Sequence, residues 1–313
     1  MPPLRERLQL AERTMVALVR EAELPAKIGV HPRPDASFAH AMPAFLPGPA
    51  ADDDLLGIKW IAGFPENRAL GLAAIHGQVL LTDPGTGVPL AILDAGPITA
   101  QRTAAISGVA IRQLGRPLGR PARVALLGAG VQARSHVPVL GAVLPDAELA
   151  VFDRHPERAA AVAADGAASE GIAGATVAQS AREAVDGADV VLTLAAFAPS
   201  GERQVLTPDW LGPDTLVVAV DYDTYVSAAV AREAAVFAVD ERAQFLANRD
   251  AGSFADYPDP TTTIGDAIVA GTSPPATGRV LVSHLGVGLA DLVFADAILR
   301  EATASGLGTI LPR

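Results

Sequence analysis

Cysteine is absent from the 313 residues. That absence removes disulfides, thiolate nucleophiles, zinc–sulfur sites and iron–sulfur clusters. Aromatic residues are scarce, at 4%. Basic residues form no dense cluster, and acidic residues outnumber them by 35 to 24, for a formal net charge of −11. Such a surface repels a phosphate backbone, so nucleic acid is not an expected partner. No stretch of ~18 residues lacks charges and breakers, so no membrane span is expected. The first 23 residues carry charge throughout and contain no apolar leader, so the expected address is the cytoplasm. His31, His76, His136 and His155 lack metal-ligand spacing and read as loop or surface residues; no metal is expected.

What is present is a core. Half the residues are apolar and 19% are charged, with Ala, Gly and Val prominent. This is the composition of an α/β protein with close helix–sheet contacts. The chain reads in three parts. In residues 1–118, a proline-rich stretch (24–51) precedes an apolar segment (55–64) with one lysine at its centre. QVLLTD and VPLAILD, joined by PGTG, predict a hairpin, because Gly supplies positive φ and Pro fixes φ. Residues 98–114 read as a helix. The part is α+β with an antiparallel sheet. Two glycines and two prolines at 114–121 then mark a boundary.

From Arg123, short apolar runs (VALL, AELAVFD, ADVVLTLA, TLVVAVD, AAVFAVD) alternate with Ala-rich helical stretches. Strands buried on both faces and separated by helices imply a parallel, Rossmann-type sheet. A closing helix begins near Gly286. The expected division is residues 119–285 for the parallel domain, with 1–118 and 286–313 forming the other.

Gly128-Ala129-Gly130-Val131-Gln132-Ala133 is G-x-G-x-x-A, between an apolar run and a helical stretch. Gly128 permits the tight turn, Gly130 lets backbone N–H groups approach a pyrophosphate, and Ala133 lets the helix pack on the sheet. The helix start, with Val131 and Gln132, offers unpaired donors and partial positive charge. Asp153, ending the next strand, is placed to accept from ribose hydroxyls and to repel a 2′-phosphate. This pattern predicts NAD. Arg154 and Arg158 follow directly and leave NADP open. In such sheets ligands sit beyond the strand ends. Thr193 lies at one such end, where the nicotinamide ribose would pass, or is an ordinary strand threonine. Asp221 and Asp223 lie at another, as acid–base candidates or as a polar loop.

GIKWIAGFPENRALGL (57–72), LLTDPGTGVPLAILDAGPITAQRTAA (80–105) and LLGAGVQAR (126–134) together closely resemble the ornithine cyclodeaminase/μ-crystallin family. The resemblance is strong over residues 39–153, looser through Asp223, and returns at 286–291. It implies a substrate-binding and dimerisation domain made from the N-terminal part and the final helix, around a Rossmann domain, in a homodimer. It also implies an α-amino or α-imino carboxylate held against a nicotinamide. Arg33, Lys59 and Arg102 match the family's carboxylate-binding cations, and Lys59 is also implied as a catalytic group. Without the resemblance each has a bland reading: a loop charge, an edge-strand gatekeeper, a solvated first-turn residue. Asp223 matches the catalytic aspartate, although Asp221 replaces the glycine that precedes it.

Other departures bear on substrate. His40 stands where an acid is expected, Ala74 has lost a hydroxyl, and His284 precedes the final helix where serine is expected. His40 and His284 are pocket candidates by position. A second ammonium, as in ornithine, would lack its counter-charge. Three activities follow: an NAD(H)-dependent oxidoreductase of amino or imino acids, a redox-neutral cyclodeaminase, and a non-enzymatic binder. The retained cations argue against the last.

Overall fold

The computed structural model describes residues 1–33 and 37–311. The chain divides into two compact units, Met1–Arg102 with Val287–Arg313, and Thr103–Gly286.

The first unit begins with α1 (Leu4–Arg20), followed by β1 (Ile28–Val30), β2 (Phe38–Leu46), β3 (Leu55–Gly63), β4 (Ile75–Thr82) and β5 (Pro89–Asp94). The strands form one antiparallel sheet in sequence order. The hairpin closes as its composition predicts. The Asp83 carboxylate accepts from the N–H groups of Gly85 and Thr86, and Gly87 takes φ +74°. Pro43 sits inside β2, where β1 pairs only with Ala39, His40 and Ala41 and leaves one flank open.

The period of two sorts β3 into faces. Gly57, Lys59, Ile61 and Gly63 are buried, while Ile58 and Ala62 are half-buried and Trp60 exposed. Helix α9 (Gly288–Ala304) packs on the buried face. Contact is close: a Cβ on Gly288 would lie 2.5 Å from the Met42 carbonyl oxygen, and one on Gly57 would meet both Leu80 and Leu292.

Helix α2 (Ala95–Leu114) belongs to both units, its first turns to one and the rest to the other. The units part after Arg102, inside this helix, not at the Gly/Pro run expected to divide them. That run ends the helix, whose second half already packs in the second unit.

The second unit contains β6 (Arg123–Leu127), α3 (Val131–Val143), β7 (Ala147–Phe152), α4 (Pro156–Ala167), β8 (Ile172–Val177), α5 (Ala181–Val185), β9 (Val190–Thr193), β10 (Leu216–Ala219), α6 (Ala228–Glu233), β11 (Val236–Val239), α7 (Arg242–Asp250), β12 (Thr262–Thr263), α8 (Ile264–Val269) and β13 (Val280–Ser283). All eight strands are parallel, in the order β12-β11-β13-β10-β9-β6-β7-β8. β9, β10 and β13 are buried at every position, as strands covered on both faces must be. The strand order reverses between β6 and β9, which makes a crevice at their carboxyl ends. Among the described residues, no helix is long and apolar enough to cross a membrane.

Candidate active site

In the first unit, Lys59 and Arg102 converge on a carboxylate that the sequence did not single out. Lys59 Nζ lies 2.5 Å from Asp291 Oδ2, and Arg102 Nε lies 3.1 Å from Asp291 Oδ1. All three side chains are at most 5% exposed. β3 is central and α2 is packed, so neither cation is a gatekeeper or a solvated charge. Burial pushes the Lys59 ammonium down to about 7; Asp291 opposes that shift and Arg102 adds to it.

His40 lies on the same face of the sheet as Lys59, since its neighbour at two residues, Met42, pairs with Lys59. It stacks on Phe38 at 4.6 Å between ring centroids. Burial, then the charges of Lys27, His31 and Lys59, push it down to about 4, so it is neutral at pH 7. Arg33 is exposed on the loop after β1 and does not join the Asp291 cluster.

In the second unit, Gly128 takes φ +109°, and a Cβ there would lie 2.7 Å from the Leu194 carbonyl. Only glycine fits. Gly130, the N-cap of α3, has open space where a Cβ would stand and no side-chain cap. The first N–H groups of α3 are therefore left without a capping side chain. Val131 is exposed, and Gln132 Oε1 is buried with no hydrogen-bond partner among the described residues. Asp153 touches the turn: Oδ2 accepts from the Ala129 N–H at 2.8 Å and Oδ1 from the His155 N–H at 2.9 Å. Arg154 is exposed. An open cradle of donors with an acid beside it fits a dinucleotide's phosphates and ribose.

Two aspartates follow β10, and their settings differ. Asp223 is ion-paired to Arg203 at 3.1 Å and accepts from the Phe254 N–H at 3.1 Å. Asp221 accepts from the Thr193 hydroxyl at 2.5 Å and the Ala195 N–H at 3.2 Å. Thr193 is thus fully buried and committed to Asp221. Tyr222, between the two acids, takes φ +58°, a conformation uncommon outside glycine.

His136 is not a surface residue. It is fully buried in α3, where its Nδ1 lies 2.7 Å from the Gln132 carbonyl. Ser107 Oγ bridges His136 Nε2 and His284 Nε2, each at 2.8 Å. A carbonyl only accepts, so Nδ1 of His136 carries a hydrogen. Burial pushes His136 down to about 4, leaving it neutral. Its Nε2 therefore accepts from Ser107, and Ser107 accepts from Nε2–H of His284. Sequence reasoning missed Ser107, Arg203 and Asp291. Asp291 alone left a trace, as a carboxylate inside the apolar run GLADLVFADAIL. No group of three His, Asp or Glu among the described residues could hold a metal.

The parallel sheet, its glycine turn and the acid beside it define a Rossmann-type dinucleotide fold, carried with a separate antiparallel unit. The family model described as the ornithine cyclodeaminase/mu-crystallin family matches residues 4–305, and the chain belongs to that family. It is 34% identical over 293 residues to the nodulation efficiency protein NfeD of Rhizobium meliloti, covering 92% of this chain and 87% of that one. It is 29% identical over 275 residues to ketimine reductase mu-crystallin of Mus musculus, covering 86% and 82%. The solved structure of Thermococcus litoralis Delta(1)-pyrroline-2-carboxylate reductase, in complex with NADH and L-proline, superposes with a TM-score of 0.85 at 25% identity, covering 99% and 96%.

Proposed function

We propose that this protein is an NAD(H)-dependent oxidoreductase that reduces α-imino carboxylates to α-amino acids. The observation that carries the reading is the buried cluster of two cations around one carboxylate. Lys59, when protonated, and Arg102 together outweigh Asp291 by one charge, and a substrate carboxylate balances it. Arg102 is bonded to Asp291 through Nε, which leaves the outer edge of its guanidinium for bidentate pairing. Arg33 serves as a third, outer cation. Lys59, at about 7, is able both to attract the carboxylate and to exchange a proton.

The glycine turn and the start of α3 take the pyrophosphate, with Gly130 and the N–H groups of Val131 and Gln132 nearest it. Asp153 takes the adenosine ribose and disfavours a 2′-phosphate, so NAD(H) is preferred to NADP(H), with Arg154 at the rim. A bound reduced nicotinamide supplies the hydride. Asp223 keeps lone pairs free beyond those used by Arg203 and Phe254, and these accept from the substrate's iminium N–H. His40 is neutral and provides no counter-charge for a second ammonium, which favours imine reduction over cyclodeamination of a diamino acid. The protein works as a homodimer, supported by the apolar outer face of the sheet, where Ile58, Trp60, Leu80 and Ile92 are half-buried or exposed.

The test pairs NADH with cyclic imino carboxylates, and pyruvate with amines, at 340 nm, beside ammonia release from ornithine and lysine. One NADH oxidised per imine reduced is expected. Ammonia from a diamino acid with no net change at 340 nm would make the protein a cyclodeaminase instead.

A further inference from the structure

Asp221 stands where the resemblance leads one to expect glycine, and its side chain is nine-tenths or more buried. Among the described residues its donors are a hydroxyl and an amide, Thr193 and Ala195, with no cation among them. It is also next to the phosphate-binding turn. The Ala195 N–H that it accepts lies 2.9 Å from where a Gly128 Cβ would be. In a sheet of this order each half takes one mononucleotide. Asp153 marks the adenosine half at the end of β7, so the ends of β9 and β10 serve the nicotinamide half.

We infer that Asp221 couples the oxidation state of the bound nicotinamide to one proton, ionised with the oxidised cofactor and protonated with the reduced one. The inference rests on the NAD(H) reading above. An oxidised nicotinamide is a cation and a reduced one is neutral. A buried carboxylate bonded only to neutral donors offsets the first and is itself disfavoured by the second. The titratable groups that interact with it are Asp223 and Tyr225 on its own loop and Tyr257 after α7; beyond them, Arg203 after β9 is ion-paired to Asp223, Asp153 and Arg154 after β7 act on Tyr225, and the His284 N–H after β13 bonds the Ala219 carbonyl. Burial lifts Asp221 to about 7, within reach of ordinary pH changes. Asp223, by contrast, is ion-paired to Arg203 at 3.1 Å.

The test is the affinity for NAD⁺ and for NADH from pH 6 to 8, by calorimetry and by NADH fluorescence. As pH falls, NAD⁺ should weaken relative to NADH, by up to about tenfold per pH unit near the midpoint. Asp221→Asn should flatten the ratio, and Asp223→Asn should not. Thr193→Val, which keeps the carboxyl and removes a donor to its ionised form, should move the midpoint up; this keeps the inference testable if Asp221→Asn fails to fold. A flat ratio in the unaltered protein, or a slope that survives in folded Asp221→Asn, overturns the inference alone. Failure of both nucleotides to bind at every pH overturns the NAD(H) reading and this inference with it.

Discussion

Each unit buries ionisable groups, and the two do so in opposite ways. In the first, Lys59 and Arg102 enclose Asp291, so every charge has an opposite within 3.1 Å. In the second, Asp223 is paired with Arg203, but its neighbour Asp221 is buried with neutral donors alone among the described residues. Burial acts on both in the same sense, against charge, and so it drives a lysine down and an aspartate up until both titrate near 7. What separates them is pairing. On the proposed reading, the first cluster holds net charge for an anion and the second gives charge up.

The sharpest way to break that contrast is to unpair the first cluster. Asp291→Ala leaves two cations buried without a partner, and unfolding in urea should show a loss of about 3–5 kcal/mol. Next comes the turn, which tests whether the second unit's open space is for a ligand. Gly130→Ala adds a methyl that meets no protein atom within 4 Å. Its stability should change by no more than about 0.5 kcal/mol, while NADH affinity falls by about tenfold or more. Unchanged affinity would remove the pyrophosphate from that turn.

The pH response sharpens the comparison further. Lys59 loses its charge as pH rises through about 7, so KM for an imino carboxylate should rise above that pH, by up to about tenfold per unit. Lys59→Met should give a high KM that no longer varies with pH, whereas the cofactor ratio should still titrate through Asp221. A smaller effect on chemistry is expected from Trp60→Glu on the outer sheet face. Light scattering should report monomers, with NADH binding retained.

The parts legible in the sequence were local. The G-x-G-x-x-A turn, the hairpin and the alternation of apolar runs with helical stretches each depend on neighbours within a few residues, and the structure has them. β13, VLVS, was not read as a strand. His136 was expected on the surface because nothing near it in sequence announces Ser107, 29 residues away. Lys59 and Arg102 were picked out through resemblance alone; their shared partner, Asp291, lies 189 residues from Arg102. An aspartate in the first turn of a helix also has an ordinary explanation in the helix dipole, which hid its role. Arg203 and Phe254, which hold Asp223, lie 20 and 31 residues from it, beyond the reach of a local pattern.

The central claim is that the first unit's cations hold the substrate's carboxylate while the second unit holds the cofactor. The direct test is Arg102→Ala, with KM for the imino carboxylate measured beside the Kd for NADH. The account predicts a KM raised on the order of a hundredfold, as expected for losing one partner of a buried charge pair, with NADH binding nearly unchanged. Equal weakening of both would contradict it.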